Sequence, residues 1–191
     1  MTSQFPEEVA VPLASHSEVS GLLFEAHDAV QAESEVIRAL EALPEGGVVV
    51  VDFSGVRVSS EAGRQVLARA LRRLRSGEIP DRYIVLSGLG SSRYNVEVML
   101  QGEGLVTVER AVEPPESRLV GRVEPSVAQT FTALAARGIA TASEVRADLK
   151  LNSTQAATNR LAALVKSALA RRVAEQPLEG GGREYVYAAL Q

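Results

Sequence analysis

Short unbroken apolar runs alternate with amphipathic stretches over the first part of the chain. The pattern becomes purely helical after Pro125. Residues 1–20 hold two prolines and no firm period, which fits a frayed start or an edge strand. Residues 21–27 (GLLFEAH) read as a short strand. Residues 32–43 (AESEVIRALEAL) place Val36, Ile37, Leu40 and Leu43 on one helical face, and Pro44, Gly46 and Gly47 stop that helix. Residues 48–53 (VVVVDF) have the unbroken apolar character of a strand covered on both faces. Ser59 or Ser60 can cap the next helix, with Glu61 in its favourable first turn. That helix runs to about Arg75 and predicts Val66, Leu67, Ala70, Leu71 and Leu74 as buried. Arg64, Arg69, Arg72, Arg73 and Arg75 lie on its other side. Gly77 and Pro80 break it, and residues 82–86 (RYIVL) form a second buried strand. A short helix over 91–101 turns Val96, Met99 and Leu100 inward, and a third strand follows at 105–108. Strands alternating with helices imply βαβ units and a partly parallel sheet.

Residues 112–122 contain Pro114 and Pro115 and lose the alternation, so they read as a linker with a candidate strand at Leu119 and Val120. Beyond it, residues 126–136 form a helix stopped by Gly138. Thr141 opens the sequence TASE, which has the spacing of a capping box and starts a second helix ending near Leu149. A turn over 150–153 leads into a third helix over 154–170. Strand-like stretches at 172–176 and 183–188 flank a glycine-rich tip made of Glu179, Gly180, Gly181 and Gly182. Helix, helix, tight turn, helix and hairpin is the winged helix-turn-helix order. The expected organisation is an α/β domain over 1–112, a linker over 113–123 and an α+β winged helix-turn-helix domain over 124–191.

Composition narrows the function. The chain is 46% apolar and 23% charged, enough for ordinary cores. It contains no Cys, which excludes disulfides, thiolate metal sites and a thiol nucleophile, and fits a reducing compartment. No run approaches the length of a transmembrane helix, and the N-terminus has acid where a secretory signal has a basic flank. The expectation is a cytoplasmic protein with no membrane association. The formal charge of -4 is unevenly spread. Residues 1–112 carry 10 basic and 16 acidic side chains, whereas residues 124–191 carry 8 basic and 6 acidic ones. The tail is weakly basic, the sign that suits a nucleic-acid partner.

The third tail helix divides into two faces. Ala157, Leu161, Leu164 and Val165 form its core stripe. Its start presents Ser153, Thr154, Gln155, Thr158 and Asn159, with Arg160 at the margin. Amides of this kind read adenine bidentately, hydroxyls bond bases or phosphates, and a helix N-terminus attracts phosphate. Lys166, Arg171, Arg172 and Arg183 are candidate holders of the flanking DNA backbone. The expected function is a transcriptional regulator that binds double-stranded DNA as a homodimer, since one such module makes few contacts and gains affinity by symmetry. The alternative is a non-enzymatic adaptor whose winged helix binds protein.

The stretch LNSTQAATNRLAALVKSALARR resembles the recognition helix of MarR- and ArsR-like winged-helix regulators. Leu161, Leu164, Arg171 and Arg172 match the Leu–x–x–Leu and pre-wing Arg of that pattern, and Ala168 departs from the Gly usual before the Leu. In the first domain, DFSGVRVSSEAG resembles the STAS domain of anti-sigma-factor antagonists, with Asp52, Phe53, Ser54, Gly55, Val56 and Gly63 matching. The family's phosphorylated serine falls on Ala62, so its phosphoswitch does not carry over. The resemblance is to the divergent STAS-like branch, and implies a domain that senses a protein partner or mediates assembly. Asp52 is better read as bonding backbone amides in its turn than as a catalytic or metal-binding carboxylate. His16 and His27 stand apart from other ligand-type residues, and SGLGSS (87–92) matches no phosphate-loop spacing. No catalytic constellation, cofactor site or metal site is expected.

Overall fold

The structure is a computed structural model and describes residues 6–16, 23–24, 26–111, 116–177 and 181–191. The chain divides into two compact units, Met1–Arg122 and Val123–Gln191.

The first unit is α/β. Its strands β1 (Glu8–Pro12), β3 (Val48–Asp52), β5 (Tyr83–Ser87), β6 (Val106–Ala111) and β7 (Glu116–Gly121) form one sheet in that spatial order. The first four run parallel and β7 pairs antiparallel with β6. A separate two-residue ladder joins β2 (Leu23–Phe24) to β4 (Arg57–Val58). The helices α1 (Ala26–Ala42), α2 (Ser60–Ser76) and α3 (Arg93–Gly102) supply the parallel crossovers, with α1 packed on α2 and α2 on α3. Crossovers of one hand that always step the same way across a sheet lay their helices side by side on one face. Val49, Val51, Ile84, Leu86, Thr107 and Glu109 share that face, and all are buried. Glu109 ion-pairs there with Arg93 of α3 and with Arg118 of β7. The opposite face carries a bidentate pair between Glu8 of β1 and Arg110 of β6, two strands that are not neighbours.

Three expectations change, and one of two alternatives is decided. The helix expected from residue 32 begins at Ala26, and Asp28 in its first turn favours the helix dipole. Residues 8–12 do form an edge strand, although only Val11 is buried, because β1 is held by its ladder to β3. Residues 113–123 are not a linker throughout: the candidate strand at Leu119 and Val120 is present as part of the edge strand β7 over 116–121, and the unit boundary falls after Arg122. Pro114 and Pro115 lie outside the described residues. The third tail helix stops at Lys166 rather than 170.

The second unit contains α4 (Pro125–Arg137), β8 (Ile139–Thr141), α5 (Ala142–Asp148), α6 (Thr154–Lys166), β9 (Ala170–Pro177) and β10 (Arg183–Ala189). β10 lies between β8 and β9 in an antiparallel sheet. Phe131, Leu134, Val145, Ala157, Leu161, Leu164, Leu169 and Tyr187 make its core. Thr141 and Glu144 form the complete capping box at the start of α5. Arg137 at the end of α4 holds Asp148 at the end of α5 in a bidentate pair, which keeps that carboxyl below its ordinary range. Among the described residues no helix is long and apolar enough to cross a membrane.

Candidate nucleic-acid interface

The site is built on α6. Ser153 caps it, its hydroxyl accepting from the Ala156 amide at 3.1 Å. Ala157, Leu161 and Leu164 are wholly buried, whereas Val165, expected in the same stripe, is only half-buried. The opposite side is exposed at Gln155, Asn159, Ala162 and Lys166. These positions stand at i, i+4, i+7 and i+11, a single outward stripe. Ala162 is an addition to the residues expected from the sequence, though the same spacing that identifies the core stripe places it here. Its short side chain leaves the middle of the stripe flat.

The expected polar residues differ in how free they are. Gln155 donates from Nε2 to Asn159 Oδ1 at 2.9 Å, one turn further on, so the two amides form a unit. Thr158 turns its hydroxyl back to the Thr154 carbonyl at 3.0 Å. Arg160 points along the helix flank to Gln129 of α4, at 3.2 Å, and is not part of the outward stripe. Ser153 and Thr154 are exposed beside the helix start.

In the hairpin, Arg183 is held by Glu175 at 3.1 Å. Arg172 stacks over the Tyr185 ring, 4.5 Å from its centre, and Tyr185 meets Tyr187 edge to face. The ladder slips one residue at Val173, which bends the outer strand β9. Arg171 is half-buried beside Ala188 on β10. Glu184, also on β10, accepts from both the amide and the hydroxyl of Ser143 at the start of α5, which ties hairpin and helix together. At the tip, Glu179 and Gly180 lie outside the described residues, while Gly181 and Gly182 both have φ near +95°.

Two cations join the site that sequence reasoning missed. Arg146 on α5 and Lys150 in the turn before α6 are exposed and have no carboxylate within ion-pair distance among the described residues. Lys150 sits three residues ahead of Ser153, at the mouth of the helix. A signal for it exists in the sequence, since the turn between the two helices contains this single Lys.

Ala168 follows α6 at φ +53°, in the left-handed region that favours glycine. The resemblance noted in the sequence has Gly at this position. Ala168→Gly is expected to stabilise the second unit by about 0.5–1 kcal/mol, the left-handed strain removed less the added entropy of the unfolded chain. Thermal unfolding should show a rise of a few degrees, and a fall would overturn the account.

In the first unit the candidate groups are taken up by structure. Asp52 Oδ1 accepts from the Ser54 amide and from the Ser87 hydroxyl, each at 3.0 Å. Ser59 caps α2 by accepting from the Ala62 amide, and Ala62 is buried. Ser92 is buried and links Val58 and Val56, so the loop over 87–92 is a strut between strand ends. His16 lies 2.7 Å from Glu35. The arginine row on α2 is neutralised locally. Arg64 and Arg72 meet Glu103, Arg69 meets Glu33, Arg73 meets Glu41 and Glu78, and Arg75 bonds the Gly104 carbonyl. The parallel strands of this unit succeed one another without a reversal of order, and a reversal is what opens the usual ligand crevice of such sheets. No known protein family matches the chain, and no curated protein and no solved structure is significantly similar to it.

Proposed function

We propose that the chain is a DNA-binding transcriptional regulator, with Val123–Gln191 a winged helix-turn-helix and α6 its recognition helix in the major groove. The observation that carries this reading is the outward stripe of Gln155, Asn159, Ala162 and Lys166, set opposite the buried Ala157, Leu161 and Leu164. Arg146 and Lys150, which meet no carboxylate among the described residues, supply charge at the mouth of that helix for phosphate. The acidic α/β unit is STAS-like in this reading, on the strength of its 52–56 segment running from β3 toward the capped start of α2, and it senses a protein partner or mediates assembly. The regulator works as a homodimer in the cytoplasm and performs no chemistry of its own.

Fluorescence anisotropy of the full-length chain on duplex DNA at two salt concentrations tests this. Gln155→Ala should cost roughly 1–3 kcal/mol on a preferred site and little on random sequence. Lys150→Ala should weaken all sequences alike and lower the salt slope by about one. Arg183→Ala should do less than Lys150→Ala, because Arg183 must first give up Glu175. No binding to a broad pool at low salt would overturn the proposal.

One observation favours a second reading, in which the second unit docks protein. Ile139, Val173 and Tyr185 are exposed by 59%, 40% and 42% on its small sheet. Pull-down by a protein that Ile139→Ser and Val173→Ser abolish, with no DNA affinity, would select it.

A further inference from the structure

We infer that Gln155, held in place by Asn159, selects adenine over guanine at one position of the bound site; this deepens and rests on the DNA-binding reading above. Asn159 Oδ1 accepts one hydrogen of the Gln155 amide group at 2.9 Å. That bond leaves Gln155 with one N–H and its Oε1 for a partner at its exposed tip. Adenine shows the matching pair in the major groove, an acceptor at N7 and a donor at N6. Guanine shows two acceptors, N7 and O6, so Oε1 would face O6 with no hydrogen between them. Thymine and cytosine each offer Gln155 one half of the pattern.

Two features keep the geometry. The one-turn spacing of the two amides sets their contact on the same helix face. Ala162, next along the stripe, has no long side chain to compete for the base edge. The residues best suited to guanine are missing from this stretch: Arg160 is turned to Gln129, and Lys166 lies three turns beyond Gln155. Asn159 is a positioning residue here, since it acts on the base through Gln155.

The test starts from selection of binding sites by the full-length chain from a random duplex pool, followed by competition at the position protected by Gln155. Adenine should be preferred to guanine there by roughly 5- to 150-fold. Replacing that adenine with 7-deazaadenine should remove most of the preference. Asn159→Ala should shrink the ratio of adenine to guanine affinity several-fold, a change in selectivity that a merely structural role for Asn159 would not produce. Gln155→Arg should turn the preference to guanine. A guanine or neutral consensus with strong binding would overturn the inference and leave the DNA-binding reading standing. Absence of any selected sequence, with no binding at low salt, would overturn both.

Discussion

Gly88→Ala should lower the stability of the first unit by on the order of 3 kcal/mol or more, with a fall in Tm of about 10 °C. Two costs combine. Gly88 has φ +63°, where a Cβ carries about 1–2 kcal/mol of strain. That Cβ would also collide with Ser54 Oγ and stand 2.7 Å from the Ser54 amide nitrogen and 2.8 Å from Asp52 Oδ1. The hydroxyl can rotate away, but the backbone nitrogen and the carboxylate cannot, because each is bonded to the other. The loops after β3 and β5 would have to separate, and the Ser87–Asp52 bond would go with them. Gly55→Ala is the control. Gly55 has φ +78° and open space where a Cβ would stand, with nothing within 4 Å, so it carries the strain alone. Equal losses for the two substitutions would show that the close approach of the loops is wrong.

Leu161→Ala should cost about 2–5 kcal/mol, the transfer of a wholly buried Leu plus the cavity it leaves. The unit that contains it is small, and domains of that size are stable by only about 3–10 kcal/mol. Amide hydrogen exchange on the full chain should therefore show the protection of α4, α5 and α6 falling together, while the first unit keeps its own. Gln155→Ala, on the outward side of the same helix, should leave protection unchanged. If Leu161→Ala is silent, or Gln155→Ala is as damaging, then α6 presents a different face and the candidate interface is misplaced.

The parts of the fold that were legible in the sequence are those decided within one or two turns of chain. The α2 stripe, the Ser59 cap and the stop at Gly77 are all local, and the structure has them close to where the pattern puts them. The same holds for the Thr141 capping box and for the alternation of strands and helices that makes the first unit α/β. The division of α6 into a buried and an outward side was also readable, because a period of 3.6 fixes both at once.

Other features depended on partners far away in the chain. β1 shows a single buried residue and has no strand pattern of its own; it is a strand because β3 offers its edge. β7 showed in the sequence only as a candidate strand at Leu119 and Val120, and β8 has only three residues, too few to show a period. Tertiary contact also decided the state of each charge. The arginines of α2 stand on one face of the helix in the sequence, but which acids offset them is fixed only by the fold, through Glu33, Glu41 and Glu103, about thirty residues away. Arg160, Arg183 and Lys150 are alike by residue type, and only the folded chain shows that the first two have already found a partner. The physical reason is range. Periodicity, capping and turn chemistry act over a few residues and are written in order along the chain. Strand pairing and ion pairing act through space, and the sequence names their members without saying which will meet.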